Sequence, residues 1–178
     1  QLMVQTLFAD FAKLYPGRFF NVTNGVTPRR WLAQANPGLS HVLDQRLGTG
    51  WRRDLAAIDD LKAHAQDPSL ARELQAVKLK NKQALATWVQ ARMGLQIDPN
   101  TLFDVQIKRI HEYKRQLMNL LQVAARWQAM VAAPEVAWTP RTVIISGKAA
   151  SAYRAAKQVI RLANDMAQVI NNDPRTRG

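Results

Sequence analysis

Apolar residues first recur at helical spacing within residues 2–15, where Leu7, Phe8, Phe11 and Leu14 share one face and Pro16-Gly17 ends the pattern. An irregular stretch follows through Asn24-Gly25. Thr27 then precedes Pro28, which reads as a helix start with threonine as cap and proline at the first helical position. That helix passes through Trp31 and Leu32 and stops near Asn36-Pro37-Gly38; another begins at Ser40 and ends near Leu47, before a Gly48-Thr49-Gly50 turn. Residues 51–93 read as helical, with a break at Asp67-Pro68. Leu70, Leu74, Val77, Ala84 and Trp88 form the apolar stripe there, and Lys78, Lys80 and Lys82 the opposite, solvated face.

After Asp98-Pro99-Asn100 the period changes. Leu102 to Ile107 alternates and is β-prone, so it reads as a strand. A helix follows with Leu117, Leu120, Leu121, Ala124, Trp127 and Val131 on one face. The continuous apolar run Thr142-Val143-Ile144-Ile145-Ser146 reads as a second strand, buried on both faces. Gly147-Lys148 leads into a third major helix whose stripe is Ala149, Tyr153, Ala156, Ile160, Ala163, Ala167 and Ile170. On that stripe Tyr153 reads as core. The fold class is therefore helix-rich α/β. A helical first half is followed by the opening β-α-β-α of a doubly wound, Rossmann-like parallel sheet, incomplete because two strands do not close such a sheet.

Composition adjusts this picture in three ways. Apolar residues are 47% of the 178, which excludes a disordered basic tail. There is no cysteine, which excludes disulfide scaffolds, thiolate metal sites and cysteine nucleophiles and fits a cytoplasmic setting. The three histidines (His41, His64, His111) are far apart in sequence, so no metal site is expected; no apolar run is long enough to span a bilayer, and Gln1-Leu2-Met3 does not open a signal peptide. The formal net charge is +12, which predicts attraction for polyanions or phosphates.

The charge concentrates where chemistry is expected. In an open α/β sheet, ligands bind beyond the carboxyl ends of the strands. Lys108-Arg109-Ile110-His111-Glu112-Tyr113-Lys114-Arg115 occupies that position after the first strand. Arginine offers a planar fork for phosphate and lysine a point charge, while Tyr113 and His111 can reach hydroxyls. Cations at a helix start oppose the helix dipole and call for an anion, although an exposed turn with ordinary charges is the alternative. Gly147-Lys148 holds the equivalent place after the second strand but is a weak motif that lacks the spacing of a nucleotide-binding loop, and it reads first as a tight strand-to-helix turn. Asn24-Gly25 offers an amide to a sugar hydroxyl, or is a plain turn.

Three stretches together, Thr23-Asn24-Gly25-Val26-Thr27-Pro28-Arg29-Arg30-Trp31-Leu32, then Phe103-Asp104-Val105-Gln106-Ile107-Lys108-Arg109-Ile110-His111-Glu112-Tyr113-Lys114-Arg115-Gln116, then Ser146-Gly147-Lys148-Ala149-Ala150, resemble the glycogen/maltodextrin phosphorylase family. The resemblance extends over essentially the whole chain and implies an internal piece of a longer enzyme. Residues 1–23 would end the first domain. Residues 24–178 would open the cofactor-binding domain, helical over 24–100 and β-α-β-α over 101–178.

The family resemblance implies a glycosyltransferase that cuts α-1,4-glucan ends with orthophosphate, using pyridoxal phosphate, to give glucose 1-phosphate. Carried onto this chain, Arg109 resembles the residue that grips substrate phosphate, and Lys108 and Lys114 those that neutralise the cofactor and substrate phosphates. Tyr113 and Asn24 resemble groups that bond the glucosyl unit. The resemblance further implies a homodimeric, cytoplasmic parent that takes neither nucleic acid nor membrane as partner. The regulatory regions of animal members would lie outside this segment. Two departures stand out. Ser151-Ala152-Tyr153 replaces the family's usual Pro-Gly-Tyr, and the Gly-Thr-Gly-Asn-Met-Lys motif carrying the Schiff-base lysine is absent from these 178 residues. The segment alone is thus expected to be inactive and, with an incomplete sheet, to self-associate. Two other readings fit the charge and topology: a basic nucleic-acid module, which would need aromatics among its cations, and part of a nucleotide-sugar glycosyltransferase.

Overall fold

The computed structural model describes residues 2–22 and 25–176. These fall into two compact units, residues 1–78 and 79–178.

In the first unit the opening amphipathic stretch is two short helices, α1 (Leu2–Gln5) and α2 (Ala9–Leu14), rather than one, with a turn between them. The segment after Pro28 is a wide π-type turn, Arg29–Gln34. Thr27 contributes its carbonyl, which accepts from Trp31 N–H at 2.8 Å, and no side chain caps this start. Helix α3 (Pro37–Leu47) begins three residues earlier than its periodicity suggests, because Asn36 caps it through Leu39 N–H (3.2 Å) and Pro37 takes the first position. Residues 49–64 are not α-helical but form two 3₁₀ stretches, Thr49–Arg52 and Leu55–His64. The core of this unit is small: Val42, Leu43, Leu70 and the fully buried Trp51, whose indole N–H donates to Asp44 (3.1 Å).

Helix α4 (Pro68–Met93) runs through the boundary between the units. Asp67 receives Ser69 N–H at 2.8 Å and the Ser69 hydroxyl at 2.9 Å. Arg46 then ties Asp67 (2.8 Å) to Glu73 (2.7 Å). The apolar stripe of α4 is as read through Val77 and then rotates. Ala84 and Trp88 are exposed, whereas Val89 is buried and Lys82 half-buried. Lys82 is not a solvated residue: its ammonium donates to the Thr101 carbonyl at 2.7 Å and lies 4.8 Å from the Phe103 ring centre.

In the second unit, β1 (Leu102–Ile107) and β2 (Arg141–Ser146) pair in parallel, from Leu102 opposite Arg141 to Ile107 opposite Ser146. Asp104 and Arg141 form an ion pair across them at 3.2 Å. Helix α5 (Gln116–Ala132) connects the strands and packs with α6 (Arg154–Asn171). Among the described residues this is a helix-rich α/β fold with a two-stranded parallel sheet, which is the expected class. β2 is only half-buried, in contrast to the reading of its apolar run, because a two-stranded sheet offers few neighbours to cover both faces. Val105, Ile107, Leu117, Met118 and Leu121 likewise stay exposed. The last helix starts at Arg154 rather than Ala149; residues 147–153 form a turn that leaves β2 and returns into α6.

Candidate functional site

Because β1 and β2 run parallel, their carboxyl ends lie on one edge of the sheet, and the segments following them leave side by side. The pairing continues past the strands: Lys108 N–H donates to Ser146 carbonyl (3.0 Å), and Ile110 N–H to Lys148 carbonyl (3.2 Å). Gly147 sits between those two bonds. A Cβ there would run into the Lys108 carbonyl oxygen and lie 3.1 Å from Ile110 Cδ1, so only glycine admits this approach. The two sequence motifs, Lys108-Arg109 and Gly147-Lys148, are thus joined through their backbones.

The segment between β1 and α5 is braced by amides. Gln116, the first residue of α5, is essentially fully buried. Its Nε2 donates to the Arg109 carbonyl at 3.2 Å, and its Oε1 accepts from His111 N–H at 3.3 Å. Gln106 Nε2 donates to the Lys114 carbonyl at 3.0 Å, and Asn119 Nδ2 holds Gln106 Oε1 at 3.0 Å. A 3₁₀ turn, Glu112–Lys114, occupies the middle of the segment, capped by His111 Nδ1, which accepts from Tyr113 N–H at 3.3 Å. Arg115 adopts a left-handed conformation (φ 60°) that closes this turn and starts α5. Every polar bond of this brace goes to the backbone or to another amide, so the charged side chains are left for other partners.

Those charges are of one sign. Lys108, Arg109, Lys114 and Arg115 lie in the segment, and Lys148 in the adjoining turn. Among the described residues no carboxylate forms an ion pair with any of them. Lys108 and Arg109 are exposed; Lys114 is half-buried, its ammonium 5.6 Å from the Tyr113 ring centre. Tyr113 is 69% exposed, with its ring 4.1 Å from that of His111. Glu112, the single carboxylate of the segment, is taken by Tyr153, whose hydroxyl donates to Glu112 Oε2 at 2.7 Å and accepts Glu112 N–H at 3.1 Å. The hydrogen bond it donates to that carboxylate holds the Tyr153 hydroxyl above the ordinary phenol value. A largely exposed set of cations, without a carboxylate partner among the described residues and carried on an amide-braced backbone, is suited to small dianions, which need fixed donors more than flexible ones.

Of the five site residues expected from the sequence, Lys108, Arg109, Tyr113 and Lys114 therefore share one braced segment. Asn24 lies outside the described residues. Sequence reasoning missed Tyr153, assigned to the core, and Gln116. The latter had a visible signal, being a polar residue four positions before Leu120 on the apolar stripe of α5. Among the described residues no three His, Asp or Glu side chains gather to hold a metal ion, and no helix is long and apolar enough to cross a membrane.

Comparison with known proteins identifies the lineage. The family model described as carbohydrate phosphorylase matches residues 1–178. The chain is 54% identical over 178 residues to a glycogen phosphorylase of Pasteurella multocida (strain Pm70), an overlap of 100% of this chain and 22% of that protein. It is 54% identical over 177 residues to one from Haemophilus influenzae, covering 99% and 22%. It is 42% identical over 174 residues to the muscle form of human glycogen phosphorylase, covering 98% and 21%. The chain thus spans about a fifth of the length of these relatives. It belongs to the carbohydrate phosphorylase family.

Proposed function

We propose that this chain is a segment of an α-1,4-glucan phosphorylase, a glycosyltransferase that cleaves glucan ends with orthophosphate to release glucose 1-phosphate. The observation that carries the reading is the set of cations at the shared carboxyl edge of β1 and β2 that have no carboxylate partner among the described residues, in a chain of this family.

In this reading Arg109 grips orthophosphate with its guanidinium fork. Lys108 and Lys114 neutralise the phosphate groups of substrate and cofactor, whose mutual repulsion is the main cost of bringing them together. Tyr113 and Asn24 hydrogen-bond the glucosyl unit and set its orientation. The donor set fits pyridoxal phosphate through its phosphate: Lys108 and Lys114 have no carboxylate partner among the described residues, and the segment's one carboxylate is already engaged by Tyr153. When bound, that cofactor supplies a phosphate group able to exchange a proton with the substrate phosphate. The lysine that would anchor the cofactor is not in these residues, so the isolated segment is inactive. Residues 1–23 end the parent's first domain and residues 24–178 open the second. The parent works as a cytoplasmic homodimer, and the isolated segment self-associates through apolar positions such as Ile107 and Met118, which are 64% and 63% exposed.

The test is phosphorolysis of a maltodextrin by the whole protein carrying this segment. Arg109→Ala should lower kcat/KM for orthophosphate by about 100-fold or more. Wild-type kinetics in that variant would overturn the assignment.

A further inference from the structure

We propose that Tyr153 is a positioning residue for the phosphate-gripping segment, holding the 112–114 turn in place from the neighbouring connection; the inference rests on the phosphorylase reading of that segment. Its hydroxyl makes two bonds to one residue, donating to Glu112 Oε2 (2.7 Å) and accepting from Glu112 N–H (3.1 Å). Side chain and backbone of residue 112 are thereby fixed together. Residue 112 stands between His111, which caps the turn, and Tyr113, which contacts the Lys114 ammonium. The Tyr153 ring meets His111 edge-on, with centroids 4.9 Å apart and planes at 68°, and its hydroxyl lies 3.4 Å from His111 Nδ1. Tyr153 itself is held at the entrance to α6 by its N–H, which donates to the Ala150 carbonyl at 3.0 Å.

This latch has a second effect. Glu112 is the one carboxylate within residues 108–115. Bound to Tyr153, it is kept from folding onto the exposed cations Lys108 and Arg109, which would then have an internal anion competing with phosphate. The contact links residues 41 apart in sequence, across the turn in which this chain has Ser151-Ala152 before the tyrosine.

The experiment compares Tyr153→Phe, Glu112→Ala and the double variant with the whole wild-type protein, measuring KM separately for orthophosphate and for maltodextrin, together with the melting temperature. Phenylalanine keeps the ring against His111 and removes only the hydroxyl. Tyr153→Phe should raise KM for orthophosphate about 10-fold, the size expected for a lost hydrogen bond to a charged group. KM for maltodextrin should stay within about 2-fold and the melting temperature within about 2 °C. In the Glu112→Ala background, adding Tyr153→Phe should raise KM for orthophosphate by much less than 10-fold, because the partner is already gone. An unchanged KM for orthophosphate in Tyr153→Phe overturns the inference while leaving the phosphorylase reading intact. A parallel rise in both KM values with a fall in melting temperature also overturns it, as the mark of a purely structural residue. A wild-type protein that shows no phosphorolysis removes the reading of the segment and this inference with it.

Discussion

Replacing Gly147 by alanine is a sharp probe of how the site is held. A glycine-to-alanine change at an unstrained position stabilises a protein by about 0.4–1 kcal/mol, through the unfolded chain. At Gly147 the sign should reverse. The added methyl collides with the Lys108 carbonyl, which is backbone and cannot rotate away, and presses on Ile110 Cδ1 at 3.1 Å. Relief requires the ends of β1 and β2 to part. That loosens Lys108 N–H to Ser146 carbonyl and Ile110 N–H to Lys148 carbonyl, each worth roughly 0.5–1.5 kcal/mol. It also withdraws part of the buried Ile110 side chain, at about 1 kcal/mol. Together the loss is about 2–4 kcal/mol. Urea unfolding followed by tryptophan fluorescence would report it as a lower midpoint with an unchanged slope. Because Lys108 and Arg109 move with the strand end, a displacement of about 1 Å should lower kcat/KM for orthophosphate by about 100-fold in the whole protein. A Gly147→Ala variant as stable as wild type, or more so, would refute the close-approach reasoning outright.

Two further outcomes follow from backbone and charge. The Ser69 hydroxyl and N–H, with Arg46 behind them, hold the Asp67 carboxyl down to about 2 from an ordinary 3.8. Its contribution is therefore complete above about pH 4 and is lost as the pH falls towards 2. Asp67→Asn should flatten the acid limb of the urea midpoint across that window, and an acid limb as steep as in wild type would refute this. Arg115 sits at φ 60°, a left-handed conformation that costs an ordinary residue about 1 kcal/mol or more. It also places a cation at the start of α5, against the helix dipole. Arg115→Gly should raise stability by about 0.5–1 kcal/mol, and a loss of stability in urea titration would show that the side chain makes a larger contribution than its backbone strain.

The elements of the second half were legible in the sequence because their signals are local. Alternation marks β1, and the spacing of Leu120, Ala124, Trp127 and Val131 marks α5. Periodicity failed where a long polar side chain does an apolar residue's work. The Lys82 ammonium lies over the Phe103 ring and donates to the Thr101 carbonyl, so α4 turns Lys82 and Val89 inward where the stripe had continued to Ala84 and Trp88. It failed again in the first half, where residues 49–64 wind as 3₁₀ turns around Trp51 and the apolar positions look the same as in an α-helix. Strand burial was over-read at β2 for a different reason. A continuous apolar run reports what a strand is suited to contact, and much of what would cover this sheet is not supplied by these two strands and their helices.

The candidate site shows the same division between local and distant information. Its cations were legible because lysine and arginine at a strand end are conspicuous wherever they occur. What orients them was not, since each device depends on a contact between segments. Gln116 reaches back to Arg109 and His111, Gly147 admits the Lys108 carbonyl, and Tyr153 meets Glu112 from 41 residues away. Tyrosine on an apolar stripe is ordinarily core, and here the ring does lie half-buried beside His111 while the hydroxyl takes the carboxylate. The two basic motifs, read separately as a weak turn and a charged helix start, are one structure, because Gly147 and Tyr153 bracket the connection that pins the 108–114 segment at both ends. A site built this way resists substitution unevenly. Exchanging one cation removes one donor, whereas altering Gly147 or Tyr153 displaces several donors together, and the kinetic cost of the uncharged residues should rival that of the charged ones.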